Sequence, residues 1–275
     1  MNGRLAGFAA LVACAGIVPV GSALGSLVQT GASVQWGPTQ GEVTGPFQTG
    51  GASTALSHGY AAGPDGWFAG EAAAIASFGS VGTRAQASLE HMGSAPAVHL
   101  VAAGARFRDE LTFAPFASSG SRGGAEPAFV TFTFKIWGTI EVDAPGFATT
   151  AYAQLYVGDK WSHRFETSQN GAMVQTVYFP IVPDEPFILD VSLAAGILLD
   201  RTGAAMPATK ASASVLVDFG NTAHVSEVVL YDQAANPLRD YVVMGASGVT
   251  YPVPGPGVLF VAAAAGIVAG LRRRR

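Results

Sequence analysis

Cysteine is nearly missing from this chain. The single residue, Cys14, sits close to the start, inside an apolar run. A body without that run has no disulfide and no cysteine-ligated metal, so its stability must come from its core. Charge is scarce as well: Asp, Glu, Lys and Arg make up 12% of the 275 residues. Low charge with many small and β-branched residues suits sheets and turns better than helical bundles. No long segment of helical period lies between the two ends, and no linker rich enough to split the chain occurs between Leu24 and Tyr251. Catalytic signatures are missing too. There is no Gly-x-Ser-x-Gly elbow, no His-Glu-x-x-His, no phosphate loop and no dinucleotide fingerprint. The histidines, His58, His91, His99, His163 and His224, are too far apart for a local metal motif and read as surface or loop residues. No cofactor is expected.

What is present argues for a folded β body. The 16 Phe, 7 Tyr and 4 Trp are enough to build a core, which excludes disorder. The charge is segregated. Arg4 lies near the start, and Arg272, Arg273, Arg274 and Arg275 close the chain. Without those five, 10 basic residues stand against 19 acidic ones, a net charge of −9. Such a body is a poor match for phosphate backbones, so no nucleic-acid partner is expected.

The ends carry the clearest signals. Arg4 precedes an almost wholly apolar run, Leu5 to Val20, and Gly21-Ser22-Ala23 supplies small residues. That order of basic, apolar and small zones reads as a secretory signal over residues 1–23, with a helix as its expected conformation. A buried first helix of the domain is the plainer alternative. Leu11-Val12-Ala13-Cys14 also looks like a lipobox, which would make Cys14 a lipidated first residue. The apolar run continues past Cys14 to Val20, as it would for a cysteine within the apolar zone. At the other end, Val253-Pro254-Gly255-Pro256-Gly257 precedes the 14 uncharged residues Val258 to Leu271 and the four arginines. As a helix those 14 residues span about 21 Å at ~1.5 Å each, against a hydrocarbon core of about 30 Å. The span is minimal, the arginines stay cytoplasmic, and the prolines keep the segment before it extended. A plain membrane anchor is the alternative reading.

This order of proline motif, apolar helix and arginine cluster resembles the PEP-CTERM sorting signal, the substrate signal of bacterial exosortases. Gly255 departs from it, standing where the family usually has glutamate, which leaves open the sorting-enzyme variant. The closing body segments are similar to those of many such proteins: Asp218-Phe219-Gly220-Asn221-Thr222-Ala223, the run to Tyr231-Asp232, and Gly245 to Tyr251. Ala74–Leu89 and Phe129–Val142 share the likeness more weakly. The resemblance implies export by the Sec machinery and processing near Val253–Gly257 by an exosortase-like membrane peptidase. The membrane is engaged through the C-terminal helix until then. It implies a body at the surface of, or outside, a bacterium with an outer membrane. It implies a fold and an address, and no reaction.

Between the ends, residues 24–252 read as one antiparallel β-sandwich domain, jelly-roll-like. Gly31 to Gly82, rich in small residues and with the turn Gly63-Pro64-Asp65-Gly66, reads as short edge strands or a covering loop. From Thr83 onward alternation dominates. Val130, Phe132, Phe134, Ile136, Ile140 and Val142 share one parity of Phe129–Val142; Thr131, Thr133, Lys135, Trp137, Thr139 and Glu141 share the other. Gly138 interrupts that run and predicts a bulge or bend. Similar alternation predicts strands around Phe107–Phe113, Ala151–Val157, Val177–Ile181, Phe187–Leu193, Ala211–Phe219, Val228–Tyr231 and Tyr241–Met244.

Chemistry has few candidates. Asp109-Glu110, Asp184-Glu185, Asp190 and Asp218 are the available carboxylates, and only folding can pair them for hydrolysis. Asp109-Glu110, beside Arg106 and Arg108, reads as a solvated face; Asp184-Glu185, between Pro183 and Pro186, reads as a turn. Aromatics offer more. Trp137, Tyr152 and Tyr156 fall on polar parities, and Trp161 sits in the hairpin Gly158-Asp159-Lys160-Trp161. Such rings stack on sugars when exposed, or cover a sheet when buried. The expected function is structural or adhesive, in a cell-surface or biofilm and exopolysaccharide-associated matrix, without catalysis. The alternatives are a carbohydrate-binding module that uses those four aromatics and, third, a secreted hydrolase.

Overall fold

Extended backbone sends successive side chains to opposite sides, so alternating polarity gives each strand one dry face. In the computed structural model these faces belong to two antiparallel sheets. The structure describes residues 26–253 except 37–41, 45–47, 51, 64–65, 93–97, 116–125, 159–161, 169, 183–184, 202–209 and 239–240. The helices expected for the leader and the tail, with Cys14 and residues 254–275, lie outside the described residues.

Among the described residues there are sixteen strands and no helix. The first six are β1 (Leu27–Trp36), β2 (Glu42–Thr44), β3 (Gln48–Gly50), β4 (Ala52–Gly63), β5 (Gly66–Ser77) and β6 (Ser80–His91). Then come β7 (Val98–Pro115), β8 (Phe129–Asp143), β9 (Ala148–Gly158), β10 (Ser162–Thr167) and β11 (Gly171–Pro180). The last are β12 (Phe187–Asp200), β13 (Ala211–Tyr231), β14 (Pro237–Leu238), β15 (Tyr241–Gly245) and β16 (Thr250–Tyr251). The nine-stranded sheet runs β10-β9-β12-β7-β1-β2, with β3 on β1, β15 on β7 and β16 on β15. The seven-stranded sheet runs β11-β8-β13-β6-β5-β4, with β14 on β13.

The dry faces meet in one core. Phe107, Leu155, Val191 and Ile197 from the nine-stranded sheet share a buried cluster with Phe68, Phe132, Phe134 and Val217 from the other. Phe132 reaches across to Phe187, ring centroids 5.7 Å apart, and meets Phe179 edge-on at 6.1 Å. Each such side chain contributes about 1.5–3 kcal/mol when fully buried. The alternation in β8 is as expected through Ile140, and Val142 departs from it, 52% exposed near the strand's end.

Several readings need correction. Within Gly31–Gly82 only β2 and β3 are short; β1, β4, β5 and β6 have ten to twelve residues each. Many of their inward positions are small, as at Ala55 and Ser57 in β4, Ala72, Ala74 and Ala76 in β5 and Ala85 and Ala87 in β6, so the contrast between faces is faint in the sequence. Ala211–Phe219 and Val228–Tyr231 are not separate strands but parts of the 21-residue β13. Asp109 is not on a solvated face. It shares the inward parity of Phe107 and Leu111 and is fully buried.

Asp109 ties the two ends of the body together. Ser26 Oγ, just before β1, donates to Oδ1 at 2.7 Å. From the turn after β15, the Ser247 N–H donates to Oδ1 at 3.1 Å and Ser247 Oγ to Oδ2 at 2.6 Å. Tyr251 on β16 adds its hydroxyl to Oδ2 at 2.9 Å. Burial, then Asp109 itself, push that phenol far above its usual value, so it stays protonated and remains a donor. Gly248 (φ +86°) lets the turn close. Gly245 lies so near the carboxylate that a Cβ there would be 1.9 Å from Oδ2. Pro252 then crosses to the other sheet, its carbonyl accepting the Val228 N–H at 2.7 Å.

The start of β7 holds a second polar cluster. His91 and His99 are not surface residues: His91 is buried, and His99 stacks on Phe68 with ring centroids 4.4 Å apart. Burial, and next the nearby His91, push His99 down to about 4. The unfolded chain therefore takes up a proton near pH 6.5 that the folded chain refuses. Stability is complete above pH 6.5 and declines as pH falls toward 4. The expected loss is about 1–2 kcal/mol, allowing for solvent at the half-buried ring. Urea midpoints at pH 7 and about pH 4.5 measure it. His99→Phe keeps the stack and should flatten the difference; an undiminished difference in that variant assigns the effect to other groups.

Candidate functional site

A break in one strand shapes the outer face of the seven-stranded sheet. β13 slips against β6 between Phe219 and Ala223, and against β8 between Asp218 and His224. Such irregularities bend a strand and re-aim its side chains. The residues responsible are local. Asp218 Oδ1 accepts the Gly220 N–H at 2.9 Å, bonding its own backbone two residues on. The Gly220 carbonyl then leans over β6, where a Cβ on Gly82 would be 2.0 Å from it. Phe219 turns inward over Gly138, where a Cβ would meet its ring at 2.3 Å. Gly138 is thus not itself a bulge. β8 pairs with β11 without a break from Gly138 to Phe129, and the slip lies on the partner strand. The glycine is there because a phenylalanine takes its space.

Beside the break an open groove of about 650 Å³ crosses the sheet. Its lining includes Leu56, Ile75, Gly82, Arg84, Asp218 and Gly220. Leu56 and Ile75 are 55% and 50% exposed. Arg84 Nε stands 3.8 Å from Asp218 Oδ2, longer than a hydrogen bond, while Nη2 donates to Gln86 Oε1 at 2.9 Å. The charges cancel locally, and the pair is loose. Lateral pairing sets Thr139, Asp218, Arg84, Ala73 and Leu56 in one row across five strands. At ~4.8 Å per strand the row is about 19 Å long. Trp137 is 68% exposed on the same face, two residues before Thr139.

The four aromatics singled out as possible sugar contacts are divided. β8 and β9 follow each other in the chain but belong to different sheets, so Trp137 and the two tyrosines face opposite ways. Tyr152 is buried with Leu100, Ala102 and Leu198, its strand position lying opposite Gly196, which leaves room for the ring. Tyr156 is half-buried on that same outer face. Trp161 lies outside the described residues, as does the sorting motif apart from Val253, which is buried. Asp190 is buried in an ion pair with Arg106, so neither is part of a solvated face. Glu185 is exposed in a bend, and Asp184 lies outside the described residues. Sequence reasoning passed over Arg84, Leu56 and Ile75. A signal existed for Ile75: within Glu71-Ala-Ala-Ala-Ile75-Ala-Ser77 it is the one large apolar side chain, and it falls on the parity opposite Ala72, Ala74 and Ala76.

Among the described residues no group of three or more His, Asp or Glu side chains gathers closely enough to hold a metal ion. Comparison of the chain with family models, with curated proteins and with solved structures gave no match.

Proposed function

We propose that this chain is an exported surface or matrix protein with a structural or adhesive role, sorted through its C-terminal tail. In this reading the two sheets form a β-sandwich of jelly-roll type. The shared core and the repeated crossing between sheets from β6 to β13 support that architecture. The Sec machinery exports the chain, and an exosortase-like membrane peptidase processes the tail near Val253–Gly257 in a bacterium with an outer membrane.

One observation carries the reading. Asp109 gathers Ser26, just after the leader, with Ser247 and Tyr251, just before the tail. Ser26 and Tyr251, near the two ends of the described body, therefore meet at one carboxylate. A body joined to its ends in that way can hang from a single membrane during export. It can be cut loose from both without disturbing its core. The buried Tyr251 and Val253 set the boundary: cleavage up to Val253 would cut among side chains packed in the core.

The test is the chemistry of the mature ends. Mass spectrometry of the protein from the native cell surface should find an N-terminus near residue 24 and a C-terminus within 254–257. Deletion of 254–275 should abolish surface localisation. An intact Arg272–Arg275 block on the mature protein, or unchanged localisation of the deletion, removes the sorting claim.

A further inference from the structure

The groove across the seven-stranded sheet is a surface with a definite chemistry, and that chemistry selects its ligand. Three properties of the site bear on the choice. The first concerns the backbone. β8, β13, β6 and β5 each have a neighbour on both sides, so their backbone groups are engaged in ladders except over 220–222, where β13 breaks register with both neighbours. A peptide strand cannot add to the sheet there; that mode of recognition needs a free edge. Recognition across β8, β13, β6 and β5 therefore rests chiefly on side chains, since the end of the sheet order lies beyond them at β4.

The second property is the mixture of side chains. Leu56 and Ile75 offer exposed aliphatic surface at one end of the row, and Trp137 offers an exposed ring toward the other. Between them stand Arg84 and Asp218, a donor and an acceptor that are near each other without being hydrogen-bonded. A ligand with apolar faces and a hydroxyl-bearing edge matches this sequence of surfaces. A pyranose chain is such a ligand: its C–H faces lie on aromatic and aliphatic groups, and its hydroxyls bond both to guanidinium N–H and to carboxylate oxygen. A sugar ring is about one strand spacing long, so a row crossing five strands suits an oligosaccharide better than a single sugar.

The third property is charge. Arg84 and Asp218 cancel in the groove, while the body carries the excess of acids counted above. An acidic polysaccharide meets repulsion from the body as a whole and no net attraction at the groove. The register break adds shape: Asp218 holds Gly220 by its N–H, and Gly82 and Gly220 leave the floor without side chains.

We propose that the groove formed by Leu56, Ile75, Gly82, Arg84, Asp218 and Gly220, with Trp137 beside it, is a binding site for a neutral polysaccharide chain. The inference does not depend on how the protein is sorted, because binding is read on the purified molecule. Tyr152, Tyr156 and Trp161 have no part in it.

The experiment uses the protein as isolated from the cells that make it. It is titrated calorimetrically with cellohexaose, xylohexaose and maltohexaose as neutral probes and hexagalacturonate as the acidic one. The expected result is binding of at least one neutral hexamer, none of hexagalacturonate, and weakening of about tenfold or more in Trp137→Ala and in Arg84→Ala. Tenfold corresponds to about 1.4 kcal/mol. Trp137 is exposed, so its removal leaves the core intact, and an unchanged urea midpoint confirms this for both variants. The proposal is overturned if no neutral hexamer binds, if the acidic one binds equally well, or if both variants bind as the parent does. It is also overturned if sedimentation shows the face occupied by a second copy of the chain, with Ile75→Lys giving a monomer.

Discussion

Asp109→Ala is expected to destabilise the body by about 3–5 kcal/mol and to release the segment from Tyr241 to Val253. The magnitude follows from what is removed and what is left behind. The carboxylate, itself fully buried, accepts four hydrogen bonds. Bonds to a charged acceptor contribute about 1.5–3 kcal/mol each when formed, though not additively. The alanine leaves the Ser247 N–H, two serine hydroxyls and the Tyr251 phenol beside an empty space, and each buried donor without a partner costs about 1–3 kcal/mol. Ser26 and Ser247 are half-buried and recover water, which holds the total below the simple sum. Local effects should exceed global ones. β15 and β16 are short and sit at the end of β7, so their hold on the body depends on this carboxylate more than on ladder length. Amide exchange in 241–253 should rise by orders of magnitude in the variant, ahead of the other strands. Asp109→Asn keeps the shape and one good acceptor and should cost less. A urea midpoint within about 0.5 kcal/mol of the parent would show that the four bonds are replaced by solvent and that the ends are held by something else.

The same residue shows where a one-dimensional reading succeeds and where it stops. Period-2 alternation located β8, β9, β11, β12 and most of β13, because large apolar residues on one parity contrast sharply with Thr, Gln and Ser on the other. It missed the length of β4, β5 and β6, where many inward side chains are alanine or serine and the contrast is weak. Asp109 was visible as an anomaly. It occupies the parity of Phe107 and Leu111, and an acid on a dry parity demands donors. Its neighbours Arg106 and Arg108 disguised it as one member of a charged strand. Those donors lie 83, 138 and 142 positions away, in Ser26, Ser247 and Tyr251, and no local pattern announces them. The groove was less legible still. It depends on which strands lie side by side, and the order β8-β13-β6-β5-β4 sets Asp218 next to Arg84 across more than a hundred residues. Trp137 could be singled out by parity alone. That Tyr152 and Tyr156 face away from it required knowing that β8 and β9 belong to different sheets.

Arg106→Ala should cost about 3–5 kcal/mol, whereas replacing Arg106 and Asp190 together by leucines should be close to neutral. Nε of Arg106 donates to Asp190 Oδ1 at 2.8 Å, and Nη2 donates to Oδ2, so the guanidinium grips the carboxylate with two parallel bonds. The pair sits between β7 and β12, the central partners of the nine-stranded sheet, and both side chains are more than nine-tenths buried. Removing one partner strands a charge where water cannot solvate it, and that penalty dominates the single variant. Removing both eliminates the desolvation cost along with the attraction, and the leucines recover apolar contact with the alanine- and glycine-rich strands around them. The arrangement is therefore weak evidence that the pair stabilises the fold, and stronger evidence about register. Arg106 stands opposite Ser192 and Asp190 opposite Arg108, so the bonds are diagonal and form at one alignment of β7 with β12. A slip of β7 by one residue would send Arg106 to the dry face and leave Asp190 without its partner. A double-mutant cycle by urea unfolding, run at low and high salt, separates the terms. A buried pair should give a coupling energy that salt hardly changes. A single-variant loss below about 1 kcal/mol, or a coupling that salt erases, would mean that water reaches the pair and that this strand face is solvated after all.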